Sequence, residues 1–243
     1  HFDVKKYHTD YQQRVQNVHW VRKHGFYPFI HFQMNCSKYT NDSNGKKYIK
    51  EKNRDIYYAA HIDRFIYEYY GNRLNNRYNE YMKAKGISRA STAYRNCTPG
   101  KCNIDFAKEV FEFIVKSKSA YVFVGDFSKF FDKLDHKYLK DKIKNVIGEN
   151  ALDEADYAIY KNITKFAYIE ADDIESEKGT LRKNMRKLDK YYESEEFHNF
   201  KKKYLRKNNK DYQIPQGSSI SAVYANVYMV DFDKKINDYV TTH

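Results

Sequence analysis

Glycine and proline are scarce, at nine and three in 243 residues. So few interruptions leave room for long helices. Cysteine is limited to Cys36, Cys97 and Cys102. An odd number without a CxxC pair argues against both a disulfide framework and a zinc site, and it suggests a reducing compartment. No apolar run approaches the ~20 residues needed to span a bilayer, so no membrane contact is expected. No signal peptide opens the chain, which begins at His1 without Met and reads as trimmed. Together these absences give a cytoplasmic location as the expectation.

What is abundant is positive charge and aromatic surface. Lys and Arg number 44 against 32 Asp and Glu, for a formal net charge of +12. The excess is spread along the chain rather than gathered in a tail, which favours a folded surface that meets a polyanion, with nucleic acid foremost. The plainer alternative is a soluble protein that is merely basic. There are 25 Tyr and 16 Phe. Tyr beside Lys and Arg builds a core equally well or stacks on bases.

Along the chain, residues 3 to 24 have helical spacing, with Val4, Tyr7, Tyr11, Val15, Val18 and Val21 three or four apart. A short extended segment follows over 25 to 32, and "NDSNGKK" at 41 to 47 reads as a turn inside a basic hairpin. Residues 61 to 82 and 104 to 117 read as helices. "AYVFVGDF" reads as a strand on its Val and Phe content. A helix that Asp135 can cap comes next, then another over 151 to 169. The charged run from 170 to 211 is expected to form solvated helices or a mobile insertion. The remainder is a turn leading into a helix.

Two stretches carry chemistry. In "VFVGDFSKFFDKLDH", residues 122 to 136, an apparently buried strand ends on Asp126. A buried carboxylate is costly unless a cation meets it. Mg²⁺ is one candidate and the neighbouring Lys129 or Lys133 another. In "IPQGSSISAVYANVYM", a turn at Pro215 to Gly217 precedes Ser218, Ser219 and Ser221 and a helix slimmed by Ala222 and Ala225. Glycine at 217 permits a close approach or a positive φ.

Taken together, these stretches resemble the reverse transcriptase family. "DFSKFFDKLDHKYL" is similar to its motif A, in which an aspartate is followed by paired aromatics. "IPQGSSISAVYANVYMVDFD" is similar to motif B, and the order is the family's. "KEKNRDIYYAAHIDRFIYEYYGNRL" resembles the basic hairpin and helix of the fingers, so the likeness covers roughly residues 45 to 243. Details such as "FYPFIHF" and "SSIS" resemble the bacterial abortive-infection and defence-associated group, related to retron and group II intron enzymes.

The resemblance implies an α+β fold, a right-hand polymerase with helical fingers and a small antiparallel palm sheet. Its parts would be an N-terminal helical extension (1–44), fingers (45–117), palm with motif A (118–144), a fingers return with charged insertion (145–211) and palm with motif B (212–243). It implies RNA-directed DNA synthesis with two Mg²⁺ ions, for which Mn²⁺ can substitute. The partners implied are an RNA template, a DNA or RNA primer and a dNTP. A homo-oligomer or a non-coding RNA is a further possible partner.

By match to motif A, Asp126 would ligate both ions with help from the Phe127 carbonyl. Phe131 would stand as the steric gate against a 2′-hydroxyl, unless it is plain core. Lys52 and Arg54 match the basic pair that holds the triphosphate, Arg by its bidentate fork. Arg95 is a further candidate for template or triphosphate contact, and Gln216 and Gly217 match the turn that lies against the nascent base pair. Asp132, Asp135 and His136 read as caps and ion pairs. The family's motif C, with two more metal-binding aspartates, and its thumb are not found before His243. Two rival readings are a silent nucleic-acid-binding scaffold of the same fold and a group II intron maturase.

Overall fold

The computed structural model describes every residue except Tyr7, Thr98, Pro99 and His243. The organising helix is α3, His61–Ala84. Ile66, Tyr70, Leu74, Tyr78 and Met82 recur every fourth residue and are all buried, with Tyr67 beside them. Full burial of each such side chain is worth about 1.5–3 kcal/mol, and together they form one wall of the main core. Against that wall lies α9, Ser219–Thr242, with Ile220, Val223, Tyr224, Val227 and Val230 facing inward. The two helices meet closely at Gly71, where a Cβ would lie in ordinary contact 3.5 Å from the Ile220 Cα.

Helix α5, His136–Ile147, completes the layer through Leu139, Ile143 and Val146. Asp135 caps it as the sequence suggests, its Oδ1 accepting the Tyr138 N–H at 2.7 Å. Helix α6, Glu154–Thr164, starts on Asp153 in the same way. At the N-terminus the expected single helix is two, α1 (His8–Gln16) and α2 (Val18–Lys23). Asn17 divides them, because its side chain leaves the ladder to accept the Trp20 N–H and caps α2.

The sheet is mixed and runs in the order β2-β1-β3-β4. Strands β1 (Phe29–Asn41) and β2 (Lys47–Tyr58) form the long hairpin, and β3 (Ala167–Glu170) lies parallel to β1. Strand β4 is the pair Arg206–Lys207. The hairpin turn is built by Asp42, whose Oδ1 accepts the N–H groups of Asn44 and Lys46, with Gly45 at φ +77°.

Further expectations need correction, among them the helix over 151 to 169, which stops at Thr164 and gives way to β3. The charged stretch 170 to 211 forms helices, one of the two forms expected, and is also packed: Met185, Tyr191, Tyr192 and Phe200 make a second core with Ile30, Ile169, Ile174 and Phe2. Two helices frame it, α7 (Ala171–Lys178) and α8 (Ser194–Tyr204). "AYVFVGDF" forms no strand, and its Tyr121, Phe123 and Val124 are almost wholly exposed. An extended segment gains nothing from β-propensity without a neighbouring ladder, and no described segment provides one. Finally, the small antiparallel palm sheet is absent among the described residues. The four strands belong to residues 29 to 58 and 167 to 207, and the strand pairing between the palm segments among the described residues is limited to the bridge of Asp135 and Tyr212. What remains is a mixed α and β architecture compatible with α+β. Helix α4, Asn103–Lys116, buries none of its residues.

Candidate functional site

The two chemistry-bearing stretches lie side by side. The Gln213 N–H donates to the Leu134 carbonyl and the Ile214 N–H to that of Phe131, both at 3.0 Å, while the His136 N–H donates to Asp211 at 2.9 Å. The His136 Nε2 also lies 2.7 Å from the Gln213 carbonyl. Burial lowers the His136 pKa, which suits a neutral ring donating to that oxygen.

From this junction the chain turns through Pro215, Gln216 and Gly217 onto the end of β2, where the Tyr57 N–H donates to the Gln216 carbonyl at 2.7 Å. Gly217 has φ +120°, and a Cβ there would lie 2.6 Å from the Tyr57 carbonyl oxygen. Only glycine tolerates both the conformation and the approach.

The turn forms one side of a cleft of about 830 Å³ whose lining includes Phe131, Gln216, Gly217, Ser219, Arg64 and Tyr94. The hydroxyls of Ser218 and Ser221, in the same lining, are buried without a hydrogen-bond partner among the described residues. Lys52 and Arg54 sit on β2 opposite Cys36 and Met34. By the two-residue period of a strand they share a face with Ile56 and Tyr58, which line the cleft. The two basic side chains therefore extend that wall outward, and both are exposed.

Arg95 is placed differently. Its Nε donates to Asn79 at 2.8 Å, and its Nη1 donates to the carbonyls of Ser88 and Ser91. Those bonds hold the loop that presents Tyr94, whose carbonyl accepts from Asn75 at 2.6 Å. Arg95 thus shapes the cleft through the loop.

Asp126 and Phe127 line an adjoining cleft of about 540 Å³, with Lys133, Tyr138, Tyr228 and Phe232. Asp126 is exposed and makes no hydrogen bond or ion pair with a described residue, so the premise of a buried carboxylate is corrected. Nor do the described residues place two further carboxylate, His or Cys ligands with it. An aromatic wall separates the clefts: Phe127 and Phe130 have centroids 5.8 Å apart, and Phe130 and Phe131 5.9 Å. Phe130 also packs edge-on against Tyr228 and so takes the inward place, leaving Phe131 at the larger cleft.

Asp132 sits behind this wall, its pKa raised by burial and then by the nearby Asp55. Asp231 is held by Lys142. Among the described residues, the non-glycine residues with positive φ are Tyr94 (56°), Lys129 (54°) and Gln213 (81°), and all three flank this region. Such conformations persist only where the surroundings enforce them, and they gather at functional sites.

Sequence reasoning missed the helical wall of the cleft. Arg64, Glu68, Gly71 and Asn75 line it from α3. Their spacing of four, three and four places them in one stripe along that helix. That stripe was the available signal. Compared with family models and with curated proteins, the chain matches none.

Proposed function

We propose that this chain forms the fingers and palm of an RNA-directed DNA polymerase, adding deoxynucleotides to a primer. The observation that carries the reading is the meeting of three separate segments at one cleft. The Gln216–Gly217 turn is seated on β2, the basic pair Lys52 and Arg54 continues the same wall, and Phe131 faces them. A nucleoside triphosphate fits this chemistry. Exposed Lys52 and Arg54 offer charge-assisted donors to phosphate oxygens. The unpartnered Ser218 and Ser221 hydroxyls and the first turn of α9 add donors at the far end. Phe131 supplies bulk where a sugar would stand. The excess of basic residues suits a nucleic-acid duplex passing over the cleft.

The implied Mg²⁺ fits in part. Asp126 is an open carboxylate at the edge of a cleft and can anchor an ion with the Phe127 carbonyl. Mg²⁺ demands octahedral oxygen ligation and dehydrates reluctantly, so one carboxylate does not make a two-ion centre. The roles given to this chain's own residues are therefore binding and positioning. The lone carboxylate also favours the second reading, a nucleic-acid-binding scaffold of the same architecture.

Primer extension by the full-length protein separates the two. Synthesis is expected, and Asp126→Ala is expected to abolish it while leaving nucleic-acid affinity and folding intact, since the side chain is exposed and unpacked. Extension by the variant at the parental rate overturns the assignment of Asp126. Binding without synthesis by the parent selects the scaffold.

A further inference from the structure

Away from Asp126, the described residues bring together one group of potential metal ligands: His1, Asp3 and His61, with one ligand atom from each lying within 4.8 Å of the others. They come from two segments. The N-terminal strand of chain is pinned by Phe2, buried in the second core, and by the Tyr191 N–H, which donates to the His1 carbonyl at 2.8 Å. His61 opens α3, and Asp3 caps that helix, its two carboxylate oxygens accepting the N–H groups of His61 and Ile62 at 2.8 Å each.

We infer that His1, Asp3 and His61 form a binding site for a divalent transition-metal ion, Zn²⁺ being the best match. Two imidazoles and one carboxylate are a donor set for borderline ions and a poor one for Mg²⁺ or Ca²⁺. The site uses no cysteine, so the argument from cysteine spacing does not reach it. A second observation points to a ligand. The Nδ1 of His1 is buried without a hydrogen-bond partner among the described residues, a state that costs free energy unless something binds it.

The two rings lie face to face at 3.7 Å, tilted by 34°, so a modest rotation of each brings its nitrogens toward the carboxylate. Bonds of about 2.0–2.2 Å set the separation the three ligand atoms must reach, and side-chain torsions can supply the adjustment. The carboxylate is already fixed by its two backbone donors and needs no reorientation.

Three protein ligands leave a coordination position open. His1 lines the large cleft and also a second one beside it, shared with Tyr58, Arg182 and Lys183. The ion would therefore stand where the two meet and tie the N-terminal segment to the first turn of α3. Its position is independent of Asp126, so this site stands whether or not the chain proves to be a polymerase.

The test is metal titration of the full chain without an affinity tag. Zn²⁺ is expected to raise the unfolding temperature. Co²⁺ is expected to give visible absorption that Zn²⁺ bleaches. His61→Ala and His1→Ala should each weaken Co²⁺ binding by about 100-fold or more. The position of His61 at the helix start leaves α3 intact in the first variant. A residue added ahead of His1 should leave binding in place, because the imidazole and not a terminal amine is the ligand. The inference is overturned by an unchanged unfolding temperature with no Co²⁺ absorption, by binding that survives both substitutions, or by binding lost on that extension.

Discussion

At the level of single residues, the site depends most on a side chain that is missing. Gly217 combines φ +120° with a backbone approach that leaves no room for a Cβ. Gly217→Ala should therefore cost about 1–3 kcal/mol of stability and open the contact between Gln216 and Tyr57. Thermal denaturation measures the first effect, and nucleotide affinity in the full-length protein the second. A variant as stable as the parent, with unchanged affinity, would show that the turn is not seated as described. Gly125, in the neighbouring segment, is a contrast: a Cβ there meets only the mobile end of the Phe123 ring at 3.3 Å, so Ala should be tolerated.

Among the elements, the β1–β2 hairpin is the one whose sequence serves a surface. From Ser37 to Arg54 nearly every residue on both faces is exposed, so packing does not explain its composition. Lys38, Lys46, Lys47, Lys50, Lys52 and Arg54 concentrate positive charge on a long twisted arm. Replacing residues 36 to 52 with a two-residue turn should change stability by no more than about 1 kcal/mol, since no core side chain is lost. The same replacement should remove nucleotide binding. Arg54→Ala alone should raise KM for the nucleotide with little loss of nucleic-acid affinity. Steady-state kinetics on the full-length protein separates the two. An unaltered KM would leave the arm without a role at the cleft.

At the level of the whole molecule, three carboxyls withdrawn from water contribute to the response to pH. Burial pushes Asp63 up to about 6, although His24 lies 2.6 Å away and the Tyr27 N–H donates to it. Burial also raises Asp156 and Asp233 to about 6, with Asp153 adding to the shift at Asp156. Each native carboxyl holds its proton more tightly than the unfolded chain, whose value is 3.8. Their contribution is therefore fully present below about pH 4 and is lost as pH rises through 6. Asp63→Asn should flatten the part of the pH–stability curve that belongs to it. Denaturant unfolding of parent and variant between about pH 4 and pH 7 reads the difference, and parallel curves would remove Asp63 from the account. The net charge of +12 predicts a second bulk property, nucleic-acid affinity that falls steeply with salt as phosphates lose their counterions. Affinity indifferent to salt would point to a protein partner instead.

The sequence by itself determined what depends on near neighbours. The helix α3, the Asp42 to Gly45 turn and the Asp135 cap were legible because period, turn chemistry and capping act within a few residues. The break at Asn17 was local too, but the valine periodicity across it hid the cap. Only the tertiary structure decided the fate of two stretches, one apolar and one charged. Residues 120 to 127 have strand composition, yet a strand exists only when another segment supplies its ladder. The charged run from 170 to 211 carries its few large apolar residues far apart, and they become a core only because Phe2, Ile30 and Ile169 arrive from elsewhere. The cleft is decided in the same way. Gln216 meets Tyr57, and Arg64 and Ser219 come to line one cleft, across most of the chain, and no local pattern encodes that approach except the glycine that permits it.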